Sequence, residues 1–305
     1  MNIGVIGGSG FIGSHVVDKL MEVGHEVTVF DIKKPHRSDV PHTNIEITDL
    51  PKTTVALTGS YDAVYLLAAV ADVNDVQRNP VEASAVNIMG VANVLEAARR
   101  NSIGRVILAS TVWVYGLTSQ DNGDEDSPIH LTKAEHIYTS QKVSAELICH
   151  SYRAMYGQEF TILRYGVPYG PRARGGTVLA TFVQRALNNQ PLSIFGEGTQ
   201  GRGFIYVEDL AKGNVAALQE VARNQTYNLE GKRLVSVREV AETVRQVLGN
   251  VTIEYKEART ADFGGKLVSA EKARRELGWQ PTVDFEEGAR NYIAWYQQQM
   301  PGKKA

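Results

Sequence analysis

Blocks of Lys and Arg, paired cysteines and long apolar runs are all missing from this 305-residue chain. The lone Cys149 cannot form an intramolecular disulfide, and no Cys/His cluster has the spacing of a zinc site, which fits a reducing compartment. His15, His25, His130, His136 and His150 show no metal-ligand pattern, so each reads as surface or packing and no metal is expected. No apolar stretch approaches the roughly 20 residues that cross a bilayer, and MNIGVIGGSGFIG carries no basic leader. The expectation is a cytoplasmic protein with no membrane association. Net charge is −2, with 32 basic and 34 acidic residues scattered along the chain, which argues against nucleic acid as a partner.

What is present points to a globular α/β chain. At 43% hydrophobic and 22% charged, it can bury one large core or two unequal ones. The first half alternates β-branched runs with helical patterns, the signature of βα units and a parallel sheet. Strands are expected at Ile3 to Ile6, Glu26 to Phe30, Asn44 to Ile47, Ala63 to Leu67, Val106 to Ala109 and Phe160 to Leu163. They are continuous apolar runs, as strands covered on both faces should be. Helical patterns cover Gly13 to Glu22, Val81 to Arg100 and Thr132 to Tyr156. After Arg164 Gly and Pro cluster, loops lengthen, and further helices are expected at Val178 to Asn188, Val207 to Ala222, Ser236 to Leu248 and Asp284 to Gln299. The tail PGKKA reads as frayed, and there is no internal repeat.

Gly7, Gly10 and Gly13 follow the first strand and open the first helix, with the spacing of a dinucleotide-binding loop. There the backbone must turn tightly and let a pyrophosphate approach the N–H groups of a helix N-terminus. Asp31 ends the second strand, where its carboxylate can accept from both hydroxyls of an adenosine ribose and would repel a 2′-phosphate. NAD is therefore favoured over NADP, with Lys33 and Lys34 softening the preference. The expected architecture is a Rossmann-type doubly wound parallel sheet over residues 1–165, holding NAD. A smaller α/β substrate domain follows over 166–305, with a segment near 203–222 returning to the first.

GGSGFIG, Asp31, Asp49 in ITDL, LLAAV from Leu66, Asn87 in NIMG, STVWVYG from Ser110 and YTSQK from Tyr138 occur in that order. LRYGVPYGPR, GEGTQGRGFIYVEDLA and KARRELGWQP follow. The chain thereby resembles the extended short-chain dehydrogenase/reductase family, near its nucleotide-sugar epimerases and dehydratases, over almost its whole length. The resemblance implies that Asp49 binds the adenine amino group, beside Leu50, and that Leu67, Ala68 and Ala69 line the cofactor cleft. It adds Phe11, Ile12 and Tyr165 to the cofactor contacts. Asn87 reads equally as structural or catalytic.

Tyr138 and Lys142, four apart, share one helical face, so the ammonium can favour the tyrosinate by charge and reach the nicotinamide ribose. A free tyrosine, with a pKa of about 10, is otherwise a poor base near neutrality. By resemblance, Thr111 hydrogen-bonds the reacting oxygen. The three suit reversible hydride transfer at a carbinol carbon. The blander reading makes Tyr138 a boundary residue, Lys142 a solvated charge and Thr111 a strand-end cap.

The family's 4,6-dehydratases carry Asp-Glu directly after the Thr, and its decarboxylases keep the Glu; here Val112 and Trp113 stand there. Without those carboxyls, expulsion of water has no evident general acid. Epimerisation through a transient 4-keto intermediate, at C4 of a UDP-sugar, is the preferred expectation. A dehydratase or decarboxylase, a reductase, and a non-catalytic NAD-binding sensor or scaffold are the alternatives. By resemblance, Arg202 and Arg259 hold the diphosphate and Lys266 lies near the sugar ring, where, as a hypothesis, its cation could meet an acidic sugar such as a uronate. Val167 replaces the family's usual Asn. Dimerisation through helices 81–100 and 132–156, giving a homodimer, is also implied.

Overall fold

Residues 1–257 and 265–299 are described in the computed structural model. The chain begins with strand β1 (Asn2–Ile6), helix α1 (Phe11–Glu22) and strand β2 (Glu26–Phe30). A two-residue strand β3 (His42–Thr43), helix α2 (Leu50–Ala56) and strand β4 (Ala63–Leu66) follow. Helices α3 (Val73–Arg78), α4 (Pro80–Ser84) and α5 (Gly90–Arg100) lead to strand β5 (Arg105–Thr111). The short β6 (Asn122–Gly123), the long helix α6 (Ile137–Tyr156) and β7 (Glu159–Tyr165) come next. Beyond them lie β8 (Val167–Tyr169), α7 (Val178–Leu187), β9 (Leu192–Phe195), β10 (Gly201–Tyr206), α8 (Val207–Ala216) and β11 (Gln225–Leu229). The last elements are β12 (Leu234–Ser236), α9 (Val237–Leu248), β13 (Ile253–Lys256), β14 (Leu267–Val268), α10 (Glu271–Leu277) and α11 (Phe285–Gln299).

The expected Rossmann-type sheet is present, with seven parallel strands in the order β11-β7-β5-β4-β1-β2-β3. Alternate residues of its central strands feed two separate cores, which is why these runs are apolar throughout. Ile3, Val5, Tyr65, Ile107 and Leu163 pack with α1 and α8 on one face. Ile6, Val64, Leu66, Val106, Leu108 and Ile162 pack with α5 on the other. From β1 the chain moves outward through β2 and β3, then returns to the opposite side of β1 as β4. That reversal opens a crevice at the carboxyl ends of β1 and β4, the place where open α/β sheets bind ligands.

Some element boundaries differ from expectation, for physical reasons. The strand expected at Asn44 to Ile47 forms instead at His42 and Thr43, paired only with Val29 and Phe30. Ile45 and Ile47 are buried for packing, not for pairing, and the Ile47 carbonyl accepts from Asn93 of α5. The helix expected over Val81 to Arg100 is broken by a π-turn at Ala85–Met89. Residues 131–135 are all exposed, so with no buried face only a single 3-10 turn forms, at Leu131–Lys133, and the α-helix begins at Ile137. The helix from Val207 stops at Ala216 because buried Arg105 donates to the carbonyls of Ala217, Leu218 and Gln219 beyond its end.

Elements from the second half enter both regions. Strand β11 is an edge of the large sheet, and Leu210 and Ala211 of α8 share a core with Val16 and Val17 of α1. The other later elements form a three-stranded sheet, β12-β10-β8, and pairs β13-β9 and β14-β6. Phe204, Tyr206, Phe285 and Tyr292 anchor the core shared by β12-β10-β8 and β13-β9, whereas Val268 of β14 packs with Val114, Tyr115 and Leu117.

Asp209 ties the C-terminal segment to α8. It is fully buried and accepts from the Thr282 and Val283 N–H groups, both at 2.7 Å, the Thr282 hydroxyl at 2.8 Å and Lys212 Nζ at 3.0 Å. Burial alone would raise this carboxyl, but these donors together hold it below the usual carboxylate range. Asp209→Ala is expected to cost about 2–3 kcal/mol of stability, read as a lower Tm. Because the folded-state pKa is depressed, the wild-type advantage is present above about pH 4 and disappears as pH falls through the lower folded value.

Candidate active site

The glycines after β1 meet the crevice as the loop spacing requires. Gly7 has φ +85°, and a Cβ there would lie 2.5 Å from the Ala68 nitrogen. One at Gly13 would lie 2.1 Å from the Gly7 carbonyl oxygen. Gly10 caps α1 without any side-chain bond, so the helix N-terminus, with Phe11 and Ile12 in its first turn, is left bare of side-chain acceptors. Leu67 and Ala68 donate to the Ile6 carbonyl at 2.9 and 3.1 Å, which draws the Leu67–Ala69 stretch against this loop. A pyrophosphate fits such a cradle, where N–H groups and the helix dipole meet its charge.

Asp31 lies just beyond β2, and its two oxygens accept from Ser9 N at 3.0 Å and Lys33 N at 2.9 Å. Each oxygen keeps a lone pair for a ribose hydroxyl. Asp49 also has a local task. It caps α2, accepting from Lys52 N at 3.0 Å and pairing with Lys52 Nζ at 3.0 Å just before Leu50. The Lys52 N–H and ammonium keep this carboxyl low. These residues fit NAD, whose binding would supply a hydride acceptor at the crevice.

Thr111 is the last residue of β5, where its Oγ1 accepts from Trp113 N at 3.2 Å and leaves its own O–H to donate elsewhere. The strand-end cap and the expected site position are therefore the same place. Tyr138 and Lys142 lie one turn apart on α6, with Lys142 Nζ 5.9 Å from the Tyr138 ring centre. Lys142 is buried and donates to the Ala109 carbonyl at 2.9 Å. It is not a solvated helix charge. Burial lowers its ammonium to about 8, although Glu146 one turn further on pulls it upward. Burial pushes the Tyr138 phenol up to about 12, with Arg174 opposing. As it stands the phenol keeps its proton, and a nearby cation is what would let it act as a base.

Asn87, whose role the sequence left open, positions this helix together with Gln141, Glu146 and Arg164, which sequence reasoning gave no role. Asn87 exchanges hydrogen bonds with both the N–H and the carbonyl of Val70 and donates to Gln141 Oε1 at 2.8 Å. The π-turn thus links the loop after β4 to the residue preceding Lys142, which makes Asn87 a positioning residue. Beneath it, Glu146 receives two bonds from Arg164 and one from the Ser110 hydroxyl. Tyr165 places its side chain in the core, where its phenol donates to Asn214 Oδ1 at 2.5 Å. Only its backbone, at the end of β7, remains for a cofactor contact.

Trp113 packs edge-on against Tyr138, ring centres 6.3 Å apart, and forms one wall of an adjoining cleft. Arg202, Lys266, Val167 and Val112 line the same cleft, with Lys133 and Tyr115. Lys266 donates to the carbonyls of Thr118 and Gln120 at 2.8 and 2.7 Å, so its ammonium braces the loop as well as facing the cleft. Arg259 lies outside the described residues. Glu135 and Glu230, not singled out beforehand, also reach this cleft, as does His136, expected as surface or packing. Among the described residues no group of His, Cys, Asp or Glu can hold a metal ion, and no helix is long and apolar enough to cross a membrane.

The ribose-facing acid gives a direct test. Asp31→Ala is expected to weaken NAD binding about tenfold and to narrow the preference over NADP, measured by fluorescence titration with each cofactor.

The chain is similar to the putative UDP-glucose 4-epimerase of Methanocaldococcus jannaschii, 32% identical over 95% of this chain and 97% of that protein. It is 29% identical to the UDP-N-acetyl-alpha-D-glucosaminuronate decarboxylase of Bacillus cytotoxicus, over 96% and 97% of the two chains. The crystal structure of the Thermotoga maritima UDP-glucose 4-epimerase with UDP-glucose matches with a TM-score of 0.90 and 30% identity, covering 98% of this chain and 99% of that one. Residues 3–229 match the model of the NAD dependent epimerase/dehydratase family. With residues 3–229 matched by that model, the chain belongs to the NAD dependent epimerase/dehydratase family.

Proposed function

We propose that this enzyme epimerises a nucleotide sugar at C4, with a UDP-sugar as substrate, through a transient 4-keto intermediate. One observation carries the reading: Tyr138 and Lys142 stand on one face of α6, and the side chains beyond Thr111, on the cleft wall, are Val112 and Trp113. Tyr138 takes the proton of the 4-hydroxyl and later returns it, while Thr111 hydrogen-bonds that oxygen as its charge changes. Lys142, held on the Ala109 carbonyl, favours the tyrosinate by its charge. NAD held in the crevice would supply an acceptor for the C4 hydride and a donor returning it to the opposite face of the ketone, with no net redox change. Where loss of water or of a carboxyl group requires an acid next to the threonine, the apolar pair offers none.

In this reading residues 1–165 hold NAD, through Gly7, Gly10, Phe11, Ile12, Gly13, Asp31, Asp49, Leu50, Leu67, Ala68, Ala69 and the end of β7 at Tyr165. Residues 166–305 mainly hold the nucleotide sugar, with Arg202 on its diphosphate and Lys266 on the cleft wall. A cytoplasmic homodimer suits the buried, unpaired Cys149 and the exposed Val81, Met89, Ile137 and Leu147 on the 81–100 segment and α6.

Incubation of the protein with UDP-sugars and no added cofactor should yield C4 epimers by NMR without net NADH. Tyr138→Phe is expected to lower turnover by about 10³-fold while leaving NAD binding intact. A deoxy-keto or decarboxylated product would overturn the assignment.

A further inference from the structure

Glu230 directly follows β11 and is only 5% exposed. Among the described residues it has no ion pair, and its one hydrogen-bond partner is the Gly231 N–H, which donates to Oε1 at 2.9 Å. Two glycines make its seat. A Cβ at Gly166 would lie 2.0 Å from Oε1, and one at Gly203 would lie 2.2 Å from the same atom. The carboxyl therefore fills space that side chains at both positions would need. An idle acid at a strand end turns to water, because burying an unpaired carboxyl costs free energy. This one turns inward, onto the wall of the candidate substrate cleft that it shares with Arg202, Gly203 and Val167. Val167 brings no polar side chain to that wall, where Glu230 and Arg202 supply polar groups.

We propose that Glu230 is a specificity-determining residue for the nucleoside diphosphate, a neutral carboxyl that donates its O–H to a phosphate oxygen next to Arg202. This rests on the nucleotide-sugar reading above. Burial pushes the Glu230 carboxyl up to about 8 against the pull of the Gly231 N–H, so at neutral pH it carries the proton such a bond requires. Once ionised, it would face the negative diphosphate at close range and repel it. Binding must then return the proton to Glu230, so affinity falls as pH rises. Tyr115, Lys133, Glu135, His136, Arg202 and Lys266 line the same cleft, while Lys232 and Arg233, next in the chain, pair with Asp284 and with Glu239 and Glu286. Their contributions are separated from that of Glu230 by a variant at this position alone.

UDP-glucose and dTDP-glucose, titrated calorimetrically into the full chain in buffers of different ionisation enthalpy, measure the coupled proton directly. Little uptake is expected near pH 7, rising towards about one proton near pH 9, with Kd weakening by up to about tenfold per pH unit above the midpoint. Glu230→Gln keeps an N–H donor and should abolish both the uptake and that slope. Equal proton uptake in the variant, or none in the wild type at either pH, overturns the proposal. The wild-type measurement decides alone if the variant does not fold. Turnover of a nucleotide sugar without proton uptake removes only this assignment, whereas no nucleotide-sugar binding at any pH removes it and the proposed function together.

Discussion

The buried pair between Arg164 and Glu146 is the joint on which the site depends. Arg164 projects from β7 and meets the carboxylate of α6 with two hydrogen bonds, at 3.0 and 2.7 Å. Ser110 of β5 donates to the same carboxylate, and Arg164 also donates to the Tyr115 hydroxyl, which donates in turn to Asn228 of β11. Desolvating two charges is costly, and only such complete satisfaction of their donors and acceptors offsets it. The network fixes α6 against three adjacent strands. Lys142, one turn before Glu146, is thereby held at the end of β5 where Thr111 stands.

That joint explains a division of labour along α6. Its N-terminal turns carry Tyr138 and Lys142, the proposed reacting groups, tied to the loop after β4 by Gln141, Asn87 and Val70. Its middle carries the charge network, and Cys149 packs in the core one turn later. A tyrosine whose protonation matters is thus fixed from below and from the side, which is the preorganisation proton transfer needs.

Features governed by short sequence separations were legible. Gly7, Gly10 and Gly13 are required by a single tight turn, and Tyr138 and Lys142 share a face because four residues make about one helical turn. Apolar runs announced the central strands because burial on both faces leaves no alternative. The same signal misled at Ile45 and Ile47, since apolar character reports burial and not whether a neighbouring strand is there to pair. The local duty of Asp49, capping α2, was hidden behind its expected role, although an acid three residues before a lysine at a helix start is a recognisable cap. Glu230 was illegible for a different reason. Its importance depends on the absence of side chains at Gly166 and Gly203, two positions remote in sequence, and the chain gives no local sign that they meet.

The interleaving of the two halves has a consequence for how the chain comes off the ribosome. Strand β11 completes the large sheet next to β7, and α8 covers the face formed by Ile3, Val5 and Tyr65. From the completion of β7 at residue 165 until residue 229 has emerged, the β7 edge is unpaired, even though every glycine of the cofactor loop was made within the first thirteen residues. Over that interval the nascent sheet is a template waiting for its last strand, exposed to wrong partners, and the order of elements along the chain makes completion of the sheet a late step of folding.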